Sequence, residues 1–360
     1  MKKALFAVLV AALLVSTAAA QSIEDIAWTC PEGYEGQTLN VYNWATYIGE
    51  DTVANFEELC GVTVTYDVFE SNEAVIARLR QGNPGYDITF PNEYAVSIMI
   101  RDGLLETINK DNIPNFANVA ERWRGYDFDP ENEYGMPYLW GTTGVAVDLT
   151  SVEEPITSWM QVFELDGRVS WIDDTRTMLS LALLMLGYDP NSMDADEIAQ
   201  GVDFLLEHGD NVVSIADDDG DALLARGEVD IALEYSGDIY QLMLDCECED
   251  YAYIIPEEGS IVDMTFMVVP VGAPNLALAE VFMDYILDPV VSAQIVNDTF
   301  YATPNQAAID SGLIPEELVN NTALFPSEES LENLYFLADV TDVEQVYNDA
   351  WDEILIFIGG

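Results

Sequence analysis

Apolar residues come in short clusters from residue 39 onward, and the clusters alternate between two patterns. Leu39–Asn43, Val62–Tyr66 and Tyr86–Phe90 are compact, apolar and rich in β-branched or aromatic residues, so they read as strands. Between them, Thr52–Leu59 and a segment from Asn72 to about Gln81 follow the helical period, with Asn72 as a cap. Pro91 stops the third strand, and Tyr94–Arg101 is helical again. Strand and helix in regular alternation predict parallel βαβ units with both sheet faces covered.

The rhythm breaks at Gly135–Val147, GMPYLWGTTGVAV, which is long and extended. Its length suits a crossover between two lobes. A second α/β region follows. Val169–Ile172, Asn211–Ile215, Asp230–Glu234 and Tyr251–Ile255 read as strands; Arg176–Leu186, Asp194–His208 and Ala222–Arg226 read as helices. Met264–Val269 is extended and returns the chain to the first lobe, and helices fill most of Leu276 to about Phe357. The expected fold is α/β and two-lobed, with a cleft at the hinge. The expected division is 37–142 plus 268–310 for lobe 1 and 143–267 plus 311–360 for lobe 2.

The first 20 residues carry Lys2 and Lys3, an apolar run and Ala18-Ala19-Ala20, the pattern of a cleavable signal peptide. The product is expected outside the cytoplasm, in the periplasm. Four cysteines fit an oxidising compartment. Cys30 precedes the first strand and Cys60 the second, and parallel neighbours start at one sheet edge, so these two are expected to pair. Cys246 and Cys248 then close a tight local ring or stay reduced. Their spacing is poor for zinc, and no histidine stands near them.

Charge narrows the partners. Eleven Lys and Arg face 66 Asp and Glu, a net of -55. Such a surface repels nucleic acid and anionic lipid. Acid spread along the whole chain mainly indicates solvation in a salty medium, so a cationic ligand needs support from a site of its own.

That support lies at the strand ends, where open α/β sheets bind ligands. Trp44 and Tyr47 follow the first strand, and Asn92 and Tyr94 the third. Asp173 and Asp174 follow Val169–Ile172, Tyr235 and Asp238 follow Asp230–Glu234, and Tyr301 precedes the helix at Gln306. Aromatic faces and carboxylates together suit an organic ammonium ion.

Six segments taken in order carry a further resemblance: YNWATYI at Tyr42–Ile48, FESNEAV at Phe69–Val75, GYDITFPNEYAV at Gly85–Val96, PYLWGTTGVAVD at Pro137–Asp148, YSGD at Tyr235–Asp238 and FYATPN at Phe300–Asn305. The chain resembles the spermidine/putrescine-binding periplasmic proteins of ABC importers, from about Leu39 to Ile354. The resemblance implies a type II periplasmic-binding-protein fold that holds its ligand at the hinge. It implies a monomer that performs no chemistry, needs no cofactor and delivers a small cationic amine to a membrane permease. Trp44, Tyr47, Tyr94, Tyr235 and Tyr301 look like that family's aromatic box, with Tyr235 where a Trp is typical. Asp174 and Asp238 resemble its amine-binding acids, and Asn92 stands where a Ser is usual. Departures accompany the match. Thr46, Thr177 and Thr265 stand where relatives carry acids, and Asp263 stands where a Trp is usual. Positions i and i+2 of a strand share a face, so Asp263 can stand in for the acid missing at Thr265. Fewer acids favour an amine smaller or less charged than spermidine.

Two other readings compete. A secreted hydrolase could use Asp173 and Asp174, but neighbours on a strand point to opposite faces, and GxSxG is absent. His208, the only histidine, ends a helix with no nucleophile motif nearby. A binder of another solute on the same fold is the second. The acidic run Ala216–Asp221 fits a calcium loop poorly and reads as a solvated turn. Scarce Lys and Arg near the strand ends disfavour an anion.

Overall fold

A computed structural model describes residues 23–216, 219–246, 248–326 and 331–359. The signal segment and residues 217 and 218 of the acidic run lie outside the described residues. The first region runs β1 (Thr38–Trp44), α1 (Thr52–Cys60), β2 (Thr63–Phe69), α2 (Asn72–Arg80), β3 (Ile88–Thr89) and α3 (Glu93–Arg101). Next come β4 (Gly135–Asp148), α4 (Trp159–Phe163), β5 (Val169–Ile172), α5 (Thr175–Met185), α6 (Ala195–Glu207) and β6 (Val212–Ala216). They are followed by α7 (Gly220–Ala225), β7 (Ile231–Tyr235), α8 (Ser236–Cys246), β8 (Tyr251–Ile254) and β9 (Ser260–Val268). The chain closes with α9 (Leu276–Ile286), α10 (Pro289–Thr299), α11 (Gln306–Asp310), α12 (Glu316–Val319), β10 (Leu334–Tyr335) and α13 (Glu344–Gly359).

The strands join in the order β2-β1-β3-β9-β4-β7-β5-β6, with β10 on β9 and β8 on β4. Parallel pairing holds between β1 and β2, β1 and β3, β5 and β6, and β5 and β7, as the alternation predicts. The two long strands differ: β4 and β9 are antiparallel to each other and to their flanking partners β7 and β3. Every residue of β4 is buried. Its first half pairs with β9 through Thr142, and its second half pairs with β7 from Thr143 and with β8 from Val145. A single strand therefore belongs to both halves of the sheet.

β3 is shorter than its apolar run suggests. Asn83 Oδ1 accepts from the Tyr86 amide at 2.8 Å and holds that residue in a turn. Asp87 is fully buried and accepts from the Asn40 amide at 2.8 Å, so its side chain braces β1. Trp140, Trp159, Trp171, Tyr285 and Phe282 are among the largest fully buried side chains.

In-register pairing of Thr38 with Thr63 brings the starts of β1 and β2 together. Cys30 and Cys60 form a disulfide with Cα atoms 5.2 Å apart. Cys246 and Cys248 are also bonded, closing the local ring rather than remaining thiols. His208 caps α6, and its Nδ1 lies 2.8 Å from the Phe204 carbonyl oxygen.

Candidate functional site

One cavity opens where β1, β4, β7 and β9 end or cross. It is lined by Trp44, Ala45, Tyr47, Asn92, Gly141, Tyr235, Asp238, Asp263, Thr265 and Tyr301. Each side chain arrives by its element. Trp44 is the last residue of β1, and its indole N–H donates to the Phe90 carbonyl at 2.8 Å. Thr46 has φ 48, a left-handed turn just before Tyr47, which lines the cavity. The backbone does the same before Tyr301, where Phe300 has φ 58. Such backbone is costly for a residue with a Cβ and persists where the surroundings impose it. The Tyr47 and Tyr301 rings then meet edge to face, with centroids 4.6 Å apart.

Tyr301 fits because two glycines leave it room. A Cβ on Gly141 would lie 2.8 Å from one ring edge, and a Cβ on Gly237 would lie 2.2 Å from the other. Its hydroxyl donates to Asp238 at 2.6 Å. Asp238 lies in the first turn of α8, where the helix dipole favours a negative charge.

Across from it runs a polar chain. Asn92 is the N-cap residue of α3, yet its side chain makes no cap bond. Its Oδ1 accepts from the Thr265 hydroxyl at 3.1 Å, and its Nδ2 donates to Asp263 at 3.3 Å. Thr265 also contacts the Tyr47 hydroxyl at 3.2 Å. Asp263 and Thr265 share a strand face and both line the cavity. Gly141 stands opposite Asp263 in the ladder. Burial, and next the charge of Asp174, push the Asp263 carboxyl up to about 7. Burial pushes the Tyr47 hydroxyl up as well, so it stays a neutral hydrogen-bonding group.

Seven of the nine expected site residues line this cavity together: Trp44, Tyr47, Asn92, Tyr235, Asp238, Asp263 and Tyr301. Tyr94 and Asp174 do not. Tyr94 is 3% exposed; its hydroxyl donates to Glu73 at 2.9 Å and its ring lies under the Arg176 guanidinium, 5.6 Å from the centroid. Asp174 caps α5, accepting from the Thr177 amide at 2.7 Å. Its neighbour Asp173 accepts from the Trp351 indole at 2.7 Å, so the adjacent acids serve different elements. Three nearby charges escaped the sequence reading: Glu73, Glu93 and Arg176. Glu93 is 2% exposed and accepts from the Met264 and Leu337 amides. Burial, and next the charge of Asp263, hold its carboxyl well above the usual carboxylate range. Its first-turn position resembles that of any solvated helix acid, but β9 and the segment before α13 reach over it through the Met264 and Leu337 amides. Arg176, buried near Tyr94, adds a cation to a region the sequence reads as poor in them.

A family model described as bacterial extracellular solute-binding protein matches residues 51–326. The chain belongs to this family. Among relatives of this solute-binding protein, the spermidine/putrescine-binding periplasmic protein of Escherichia coli is 30% identical over 324 residues, spanning 89% of this chain and 92% of the relative. The putrescine-binding periplasmic protein PotF of the same species is 30% identical over 342 residues, with the same two coverages. Among solved structures, the spermidine/putrescine ABC transporter substrate-binding protein PotD of Streptococcus pneumoniae superposes with a TM-score of 0.76 at 30% identity, covering 90% of this chain and 100% of that one. The fold is that of the periplasmic binding proteins, and the place of action is extracytoplasmic. These relatives are named for binding and transport, and nothing in them supports the hydrolase reading. Among the described residues no helix is long and apolar enough to cross a membrane.

Proposed function

We propose that this solute-binding protein captures a polyamine or related cationic amine between two lobes and delivers it to the permease of an ABC importer. One observation carries the reading: a cavity walled by Trp44, Tyr47, Tyr235 and Tyr301 and bearing the carboxylates Asp238 and Asp263. Aromatic faces accept the methylene chain and attract ammonium groups, while the carboxylates neutralise them. Asp263 is half-buried beside other acids, so an arriving cation relieves repulsion built into the site. The named ligands of the relatives point the same way.

On this reading the lobes comprise 37–142 plus 268–310 and 143–267 plus 311–360, hinged across β4 and β9. The protein acts as a monomer in the periplasm after removal of residues 1–20. The test is calorimetric titration of the purified protein with monoamines, diamines and triamines. Saturable binding of one amine class supports the reading, and no heat with any amine overturns it. Trp44→Ala should cost about 1–2 kcal/mol of affinity with an unchanged circular dichroism spectrum.

A further inference from the structure

Residues 336–339 follow β10, line no part of the cavity and bond alternately in two directions. Phe336 and Ala338 face one way. The Phe336 carbonyl accepts from Asn191 Nδ2 at 2.9 Å, while Ala338 donates its amide to Asn191 Oδ1 at 2.7 Å and accepts from Arg176 at 2.8 Å. Leu337 and Asp339 face the other way, onto the two ends of α3. The Leu337 amide donates to Glu93 at 3.2 Å, and Asp339 pairs with Arg101 at 2.5 Å. This is the two-residue period of a strand, used here to grip a different element on each side. On the proposed division α3 belongs to lobe 1, whereas Arg176, Asn191 and the segment itself belong to lobe 2. α13, which follows the segment, packs on α5 and α6.

Glu93 joins this segment to the site. β3 pairs with β9 at Thr89–Val268, and nearer the cavity the residues after β3 take over. The Pro91 carbonyl accepts from the Phe266 amide at 2.9 Å, and Glu93 Oε2 accepts from the Met264 amide at 2.8 Å. Met264 stands between Asp263 and Thr265, both of which line the cavity. One buried carboxyl thus holds the backbone of the ligand-facing stretch with one oxygen and Leu337 with the other. Parting either amide from it leaves a buried polar group unpaired, which is costly. We propose that Glu93 is a positioning residue that couples Asp263 and Thr265 to residues 336–339, and that these residues act as a strap whose docking holds the lobes closed over the amine. This rests on the amine-binding reading and deepens it. A ligand that fixes Asp263 and Thr265 fixes Met264, and through Glu93 it fixes Leu337. Apparent affinity scales with the fraction of molecules whose strap is docked, so loosening the strap weakens binding at a distance.

The test combines calorimetry with amide hydrogen exchange, using 1,4-diaminobutane and spermidine as probes. In wild-type protein, saturation with whichever probe binds should slow exchange across residues 334–340 about tenfold or more, although the ligand touches none of them. Glu93→Gln keeps the side chain's size but has a single oxygen, and its NH2 cannot accept from the second amide. It should lower affinity about tenfold and abolish the ligand's protection of the strap. Asn191→Ala frees the strap from the other side without touching β9 or the cavity, and it should also lower affinity about tenfold. A contact that served stability alone would lower the melting temperature in these variants and leave affinity unchanged. If Glu93→Gln does not fold, Asn191→Ala decides alone. Wild-type affinity in Asn191→Ala, or a strap still protected by ligand in Glu93→Gln, overturns the inference while leaving amine binding standing. Failure of wild-type protein to bind either probe overturns both.

Discussion

Asp263 is the residue whose chemistry reaches furthest. Its carboxyl sits near 7 because burial, and then the charge of Asp174, oppose its ionisation; the field of Arg176 and the amide of Asn92 act the other way. Buried Glu93 stands behind it on α3. Since the folded value lies above the ordinary 3.8, the ionised group strains the ligand-free fold. The stability it contributes is whole below the unfolded value and is lost as pH rises through about 7. Amine binding has the opposite slope. A bound ammonium needs the carboxylate, so affinity should fall up to about tenfold per unit as pH drops below 7. Titrations at pH 5, 6, 7 and 8 in buffers of different ionisation enthalpy would show one proton released per amine at the acid end. Asp263→Asn should flatten the profile; an unchanged slope in that variant would remove Asp263 from the site. Gly237 offers a second test. A methyl there displaces the Tyr301 ring, and Gly237→Ala should lower amine affinity about tenfold or more while near-ultraviolet dichroism still reports a packed core. Full affinity would show that Tyr301 need not be held.

At the scale of elements, two devices position the cavity. The first is the pair of strands β4 and β9, whose shared ladder runs from Gly135–Val268 to Thr142–Val262 and sets Gly141 against Asp263. The second is the link before β1. The Cys30–Cys60 disulfide joins residues 30 apart in sequence and ties that link to the end of α1. Cross-linking a loop of that length removes unfolded-state freedom worth about 2–4 kcal/mol. Cys30→Ser with Cys60→Ser should therefore lower the unfolding free energy read from denaturant titration by about 2–4 kcal/mol and leave the cavity's affinity nearly unchanged, since the bond lies at the opposite end of β1 from Trp44. A matching loss of affinity would mean that the start of β1 governs its end. The aromatic residues at the strand ends were legible because their positions follow from the alternation alone. The fate of Tyr94 and Asp174 was not. The direction of each was decided by a partner distant in sequence or by a helix cap, Glu73 for one and the Thr177 amide for the other.

At the scale of the molecule, a net charge of -55 surrounds the proposed amine site. Exposed like charges repel across the surface, and salt shortens the reach of that repulsion from about 10 Å at 0.1 M to about 3 Å at 1 M. The melting temperature should rise over that range. Amine affinity should fall far less than for a surface-bound cation, because Asp263 and Asp238 are partly shielded from solvent. A collapse of affinity by 1 M salt would place the ligand on the outer surface instead.

The division between what was readable and what was not has a physical basis. Local pattern determined the strands, the helices, the cysteine pair at the first sheet edge and the aromatic residues at the strand ends, because each depends on spacing along a few residues. Hydropathy could not decide that β4 and β9 run antiparallel, since an apolar strand buried on both faces looks alike in either direction. Nor could it find the buried Arg176 and Glu93. A charged side chain in the first turn of a helix is ordinarily solvated, and Arg176 and Glu93 become buried only when segments far along the chain close over them: α13 and the stretch before it over Arg176, and β9 over Glu93. Which acids line the cavity, and which are turned to other partners, is a property of that closure.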